Sequence, residues 1–415
     1  MKKALLSLCL GLMAFAAAFA APVQDITFWT MSLSPRFDPY INGVIADFEK
    51  TNPGIKVTWV DVPWGDTETK VLTAAAAGTM PDVANLNLPF AQKLAQSNKL
   101  VDFASADVKK DYFPGCWNAS KYGNVIYGLP WYITVNMLFY NKDLFKKAGL
   151  DPSKPPKSYE DLYACAKAIK AKTGAYGYMT YFNDTYIMEE LELMGIRLFD
   201  DSFTHAQFNT PAVLSSVKYY KKMLAEGLIP SQTLTAKSGS GDAVQLYSSG
   251  RLAIFSGGTS NARMIKENNA NVYDATAVAP LIKGPNGRNN LAVMNVVVSK
   301  DSPNQDAAVK FAKFLTNNAN QLAFAKDAGT IIPSTADCVK DPFFSKDDGT
   351  AGAAARIMSA REVASGSIVF PTIANWSEIS GDFLTAFQAS VAGAGDPVTL
   401  LQKAQDKANA LLAAK

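Results

Sequence analysis

The sequence predicts an α/β protein built from two lobes, and three observations lead to that prediction. Strand patterns alternate with capped helices along the chain, which is typical of sheets covered by crossover helices. Two long apolar strands stand where the chain could pass from one lobe to the other. The chain has 415 residues, of which 48% are hydrophobic and 19% charged, and this suits two folded domains.

The first elements show the alternation most clearly. Asp25 to Thr30 reads as a strand, a helical period of apolar residues follows, and Asn52-Pro53-Gly54 ends that helix. Ile55–Val62 is a second strand, and a second helix is expected from about Asp66 to Ala77. Later helices are predicted to begin after the capping residues Ser158, Thr210 and Ser302.

The crossing strands divide the chain into discontinuous lobes. Ile133–Tyr140 is one apolar run, and Leu291–Ser299 is another that follows a Gly- and Pro-containing loop. Chain passages of this kind suit a hinge. We expect an N-terminal lobe formed by residues 21–137 and 291–340, and a C-terminal lobe formed by residues 138–290 and 341–415.

The N-terminus has the features of an export signal. Lys2 and Lys3 precede the apolar run Leu5–Ala18, and Ala18-Phe19-Ala20 provides small residues for cleavage. We assign residues 1–20 to a signal peptide and expect a soluble product in the periplasm or cell envelope. A membrane anchor is the alternative, but the run is short for a span of roughly 20 apolar residues.

The composition also limits the chemistry. Forty Lys and Arg residues nearly balance 37 Asp and Glu residues, so no basic excess points to nucleic acid. His205 is the single histidine, which excludes multi-histidine metal sites, and we expect neither a metal nor a cofactor. Cys116, Cys165 and Cys338 remain after signal cleavage, and three cysteines allow one disulfide or none.

A series of short motifs in a fixed order resembles a known family. The chain is similar to the family 1 extracellular solute-binding proteins of ABC importers, a group that includes sugar receptors. The resemblance implies a type II periplasmic-binding-protein fold, a ligand cleft between the lobes, no enzymatic turnover, a monomer, and a membrane permease as partner. The motifs are Ile26–Trp29, Phe48–Val57, Ala77–Val83, Tyr127–Pro130, Tyr140–Leu150, Ser158–Leu162, Phe208–Pro211 and Ala279–Leu281.

Aromatic residues stand where a sugar site would need them. Sugars present a flat apolar face on which an aromatic ring can stack, and α/β sites lie beyond the carboxyl ends of strands. Ordinary packing is the alternative, above all for Trp29 and Trp131. The aromatic candidates are Trp29, Trp64, Trp131, Tyr132 and Trp376.

The polar candidates carry amide or hydroxyl groups, which favours a neutral mono- or oligosaccharide over an ion. Asn136 stands where a sugar receptor of the resembled family carries an acidic contact, which makes maltose itself doubtful as the ligand. Each of these residues could instead be a satisfied strand or loop residue. The polar candidates are Asn87, Asn136, Tyr181, Thr259, Ser260 and Asn295.

Two alternatives remain open at this point. Arg36 could meet a phosphate or carboxylate, so a phosphorylated or acidic polyol of the glycerol-phosphate type is the rival ligand. A secreted glycoside hydrolase is more remote, because it needs two carboxylates facing each other across a cleft. The best acidic pairs, Glu189-Glu190 and Asp200-Asp201, are adjacent in sequence and therefore point in different directions.

Overall fold

The structure is a computed structural model that describes residues 23–183, 186–235, 240–366, 368–370, 373 and 375–414. The signal peptide assigned to residues 1–20 lies outside these ranges, so it stays a prediction.

Twelve strands form in the described part of the chain. They are β1 (Gln24–Met31), β2 (Ile55–Val62), β3 (Val83–Asn87), β4 (Lys121–Tyr122), β5 (Val125–Ile126), β6 (Leu129–Val135), β7 (Met137–Asn141), β8 (Tyr176–Met179), β9 (Leu252–Gly257), β10 (Thr276–Ala279), β11 (Leu291–Val298) and β12 (Ile332–Pro333).

Sixteen α-helices connect and cover these strands within the same described ranges. They are α1 (Asp38–Thr51), α2 (Trp64–Ala76), α3 (Leu88–Gln96), α4 (Pro114–Ala119), α5 (Lys142–Lys147), α6 (Tyr159–Thr173), α7 (Tyr186–Leu193), α8 (Pro211–Ala225), α9 (Ser240–Ser248), α10 (Ser260–Asn268), α11 (Ala270–Asp274), α12 (Gln305–Leu315), α13 (Asn318–Ala328), α14 (Ala351–Glu362), α15 (Trp376–Ala392) and α16 (Pro397–Ala413).

The strands assemble into two main sheets, one for each lobe, which agrees with the predicted two-lobed α/β class. The larger sheet has the order β12-β6-β11-β3-β1-β2, and the smaller has the order β10-β7-β9-β8. In the larger sheet, β1 is parallel to both β2 and β3, whereas β11 runs antiparallel to β3 and β6. The chain therefore enters this sheet along β11 in the direction opposite to that of β3 and β6.

The first passage between the sheets occurs at Asn136. The predicted strand Ile133–Tyr140 is divided there, because β6 pairs in the larger sheet and β7 in the smaller one. Met137, assigned above to the N-terminal lobe, pairs with Gly257 in the smaller sheet. That limit therefore shifts by one residue, since the change of partner follows Asn136.

The predicted limit between residues 340 and 341 also shifts. Phe344 is buried with Ile332 in the N-terminal core, and Lys326 Nζ lies 2.8 Å from Asp341 Oδ2. The segment that follows, α14, packs against β10 and also contacts β6, so it bridges the lobes. The other lobe limits stay predictions.

The helix caps follow the sequence with two exceptions. Ser158 and Asp161 form a capping box at α6, and Thr210 Oγ1 caps α8. The helix expected after Ser302 begins at Gln305, because the Ser302 hydroxyl accepts from Asn304 N and donates to Asp82. Helix α2 begins at Trp64 rather than near Asp66, which places that indole on a helix end.

Candidate functional site

A cavity of about 470 Å³ lies between the lobes and is walled by elements of both sheets. Helices α2 and α3 and strands β6 and β11 contribute the N-terminal wall, while α7, α15 and the segment before α15 contribute the other. The lining residues are Trp64, Asn87, Leu88, Pro89, Gln92, Tyr132, Thr134, Asn136, Tyr186, Glu189, Asn290, Leu291, Ala292, Val293, Met294, Ile368, Phe370 and Trp376.

The cavity continues into a second space of about 630 Å³ along α3 and α15. Trp64 and Trp376 line both spaces, so the indoles stand in the middle of one longer groove rather than at its end. Gln92 also lines both spaces and offers an amide group there. The groove is large enough for a ligand of several rings, since small-molecule sites span roughly 300–1,000 Å³.

Two indoles face the groove from opposite lobes. Trp64 is 48% exposed, and its backbone N–H donates to Ser32 Oγ at 2.9 Å. Trp376, the first residue of α15, packs against Phe370 with ring centroids 4.9 Å apart. Helix termini thus hold both rings in the lining of the cavity.

Strand β6 and the residue that follows it supply a polar row to the cavity. Tyr132, Thr134 and Asn136 are partly exposed and line it, whereas the residues between them are buried. This alternation is the period-two pattern of a strand with one covered face. Thr134 was missed by the sequence interpretation, although its position between Tyr132 and Asn136 gave the signal.

A carboxyl group also lines the cavity. Glu189 on α7 is half-buried, and its Oε1 accepts a hydrogen bond from Asn290 Nδ2 at 2.8 Å. The Asn290 Oδ1 in turn accepts from the Val369 N–H at 3.1 Å. Burial raises the pKa of Glu189 to about 7, and the Asn290 donor opposes that rise. Glu189 was not among the residues predicted to contact ligand.

The segment before Asn290 is fixed to the end of α7 by close backbone packing. Gly284 N–H donates to Leu193 O at 3.0 Å, and Arg288 N–H donates to Glu192 O at 3.2 Å. A Cβ on Gly284 would lie 1.9 Å from Met194 O, so only glycine fits that approach. The second passage between lobes therefore holds Asn290 beside Glu189.

Comparison with known proteins assigns the chain to a family. Residues 34–322 match the sequence profile described as bacterial extracellular solute-binding protein, which covers more than half of the chain. The chain belongs to this family. Its sheets and cleft are those of a type II periplasmic binding fold.

Three relatives illustrate the similarity of this solute-binding protein to others. A candidate oligosaccharide periplasmic-binding protein of Synechococcus sp. MITs9220 is 30% identical, with a TM-score of 0.83 and coverage of 94% of this chain and 99% of that one. The galactooligosaccharide-binding protein of Bacillus subtilis is 26% identical over 90% of this chain and 87% of its own. The sn-glycerol-3-phosphate-binding periplasmic protein of Escherichia coli O1:K1 is 27% identical over 83% and 82%.

Five of the twelve residues predicted to contact ligand line the cavity of the solute-binding protein. Asn87 is one of them, although its Oδ1 accepts from Phe90 N at 3.0 Å and so caps α3. Their contact with a ligand stays a prediction. The five are Trp64, Asn87, Tyr132, Asn136 and Trp376.

Three predicted contacts are instead buried within the lobes. Trp131 is 0% exposed and stacks on Phe324 at 5.0 Å, because it points to the core side of β6. Asn295 is also fully buried, and its Oδ1 accepts from the Ser120 hydroxyl. Tyr181 packs in the core of the C-terminal lobe and donates to Ser256 O at 3.1 Å.

The other four predicted contacts also lie outside the cavity lining. Trp29 packs half-buried against the core beneath α2 and α3, and Ser260 is the first residue of α10. Arg36 is exposed, with its guanidinium 5.2 Å from the ring centre of Phe37. Thr259 is buried, and its hydroxyl donates to the Thr330 carbonyl of the other lobe.

The acidic pairs do not converge across the cleft. Glu189 faces the cavity, whereas Glu190 is buried and accepts from Tyr178 and Tyr220 at 3.0 and 3.1 Å. Asp200 accepts from Ser202, Thr204 and His205 in its own loop. The carboxyl groups of Glu189 and Glu190 thus point in different directions, as their adjacent positions in the sequence predicted.

Three further observations concern the described residues. None of their helices combines the length and apolar character that crossing a bilayer requires. No three His, Cys, Asp or Glu side chains among them come together as metal ligands. Cys116, Cys165 and Cys338 are all unpaired.

Proposed function

We propose that this solute-binding protein is the receptor of an ABC sugar importer and captures a neutral sugar between its lobes. The composition of the cavity carries the proposal. Two indoles, an exposed tyrosine and several amide or hydroxyl side chains line it, and none of its described lining residues is Lys or Arg. In the continuing space, Lys93 is already paired with Glu68.

Each component of the lining suits a carbohydrate. Trp64 and Trp376 can cover the apolar faces of pyranose rings, and aromatic contacts of this kind add affinity beyond area alone. Gln92, Thr134 and Asn136 can exchange hydrogen bonds with hydroxyls, since amides and hydroxyls both donate and accept. Micromolar affinity needs about 8 kcal/mol of net binding free energy, which a few such contacts can supply.

The rival ligand, a phosphorylated polyol, finds less support in the same cavity. A buried phosphate requires cationic partners or a set of backbone donors. Arg36, the residue on which that alternative depended, lies outside the cavity lining. The relatives include binders of both ligand classes by name, so they do not choose between the two ligands. The choice rests on the residues that line the cavity, and these favour the sugar.

The remaining parts of the proposal follow from the family. The protein acts without turnover as a monomer in the periplasm or cell envelope, and its ligand-bound form docks on the permease subunits. The ligand favours closure only through contacts that are better in the closed state than in the open one. The passages at Asn136 and before Leu291 are the places where the lobes can rotate.

Isothermal titration calorimetry tests the proposal. The mature protein is titrated with neutral mono- and oligosaccharides and, separately, with sn-glycerol 3-phosphate. We expect saturable binding of at least one neutral sugar and none of the phosphate ester. Binding of the phosphate ester and of no neutral sugar would show that the ligand is a phosphorylated polyol instead. Incubation with the oligosaccharides, followed by an assay for new reducing ends, tests the absence of turnover.

A further inference from the structure

Glu189 gives the cavity a single ionisable carboxyl. Among the described residues, it is the only Asp, Glu, Lys, Arg or His that lines the cavity of about 470 Å³. The continuing space adds Glu68, which is paired with Lys93, and Glu378 in the first turn of α15. Glu189 also lines a small adjoining recess of about 30 Å³, together with Asn136, Tyr186 and Asn290. The carboxyl thus stands where the cavity and this recess adjoin.

The carboxyl is held in place without being neutralised. Asn290 Nδ2 donates to its Oε1 at 2.8 Å, and Asn290 is itself fixed by the Val369 N–H. An amide donor supplies one hydrogen bond but no positive charge. Because the side chain is half-buried, its ionised form lacks full hydration and gains from a cationic partner.

The other charged groups near the recess each have a partner, although the buried Nε of Arg288 has none among the described residues. Arg288 Nη2 lies 2.7 Å from Glu192 Oε2, and Arg197 bonds the same carboxylate. Glu190 also lines the recess, but the Tyr178 and Tyr220 hydroxyls donate to it from within the lobe. Glu189 is therefore the charged group presented to the cavity of about 470 Å³, whereas Arg288 lines only the recess beside it.

We propose that Glu189 makes this cleft select sugars by charge, favouring sugars that carry a basic nitrogen over neutral ones and neutral ones over anionic ones. The inference rests on the proposed function and names the ligand class of that same site. An ammonium group would complete the hydrogen bonding of the carboxylate, and charge-assisted bonds are roughly twice as strong as neutral ones. A carboxylate or phosphate on the sugar would meet a like charge at the same point.

Matched sugar sets at pH 7 test the selection. The monosaccharide sets keep the ring and change one group: glucose with glucosamine and glucuronate, and galactose with galactosamine and galacturonate. A disaccharide pair, cellobiose with deacetylated chitobiose, replaces one hydroxyl on each ring with an amino group. In the set that fits the cavity, we expect the amino sugar to bind roughly tenfold more tightly than the neutral sugar. The uronate is expected to bind more weakly than either.

A substitution separates the charge from the shape of the site. Glu189→Gln keeps the side-chain size and an oxygen that can accept from Asn290, so the amino and neutral sugars should bind almost equally. Glu226→Gln removes a carboxylate of the same lobe that accepts from the Tyr163 hydroxyl at 2.8 Å, away from the cavity. It should leave the preference unchanged.

The outcomes distinguish this inference from the proposed function. Neutral sugars that bind as tightly as their amino counterparts would overturn the inference and leave the proposed function standing. Uronates or phosphate esters as the only ligands would overturn both, and so would silence across neutral and amino sugars. If Glu189→Gln does not fold, the ranking measured on the unmodified protein still decides the inference.

Discussion

The Thr259 hydroxyl donates to the backbone carbonyl of Thr330, which joins the loop after β9 in one lobe to the loop before β12 in the other. Thr259 is only 4% exposed, whereas Thr330 is partly exposed. A residue predicted to contact ligand thus contacts the opposite lobe. The bond ties the two lobes at a point separate from the cavity lining.

Thr259→Val should weaken the attachment between the lobes. The substitution keeps the shape of the side chain but leaves the Thr330 carbonyl without this donor, which costs about 1–2 kcal/mol of unfolding free energy. Urea denaturation followed by circular dichroism measures the loss. Thr385→Val is the matched control, because that exposed threonine bonds only Gly381 within its own helix. An equal effect of both substitutions would contradict the role of Thr259.

The two indoles of the groove should carry much of the affinity. Trp64→Ala and Trp376→Ala should each weaken binding of a neutral sugar by roughly tenfold or more, because each loses a stacking surface. Calorimetry measures the change, and ligand-dependent tryptophan fluorescence should be reduced in both variants. Tyr122→Ala truncates an aromatic that is 38% exposed and outside the cavity lining, so it should bind normally. Unchanged affinity in both tryptophan variants would contradict the prediction that these rings contact the sugar.

Glu189 should make the protein less stable as pH rises. The folded state raises the pKa of this carboxyl from 4.5 to about 7, so between these values the folded state holds a proton that the unfolded chain has released. The unfolding free energy therefore falls from about pH 4.5 to about pH 7 and then levels off.

Glu189→Gln removes that contribution. Relative to the unmodified protein, the variant should gain about 1–2 kcal/mol between pH 4 and pH 8, a discounted range for a half-buried group. Denaturant titrations at both pH values measure the difference. Glu226→Gln serves as the control for net charge. If Glu189→Gln changes the unfolding free energy by the same amount at both pH values, burial does not raise the pKa of this carboxyl.

The thiols should differ in reactivity. Cys116 is 0% exposed, and burial raises its pKa to about 12, so at pH 8 it should not react with a disulfide reagent in the folded protein. Cys165 is half-buried and should react first. After unfolding without reductant, all three thiols should be titrated. A smaller number would show that a disulfide had formed.

Local pattern was enough to predict the α/β class and much of the cleft. Strand alternation and helix caps depend on residues close in sequence. Trp64 follows a predicted strand, and Tyr132 and Asn136 lie beside and within the predicted strand Ile133–Tyr140. Trp376 was expected from the family resemblance, because it follows a late loop where the family carries a stacking aromatic. Glu189 could not be identified in this way. Its role depends on Asn290, which is 101 positions away in the chain and is brought to it by the packing of Gly284 on α7.

By itself, the sequence determined the order of elements, the two crossings and the kind of groups offered to a ligand, because these follow from periodicity and side-chain chemistry. Only the tertiary structure decided whether each candidate side chain points into the core or into the cavity. Trp131 and Tyr132 are neighbours on β6, yet one is sealed in the core and the other lines the cavity. A strand alternates its side chains between two faces, and which face is the cleft depends on where the second lobe lies.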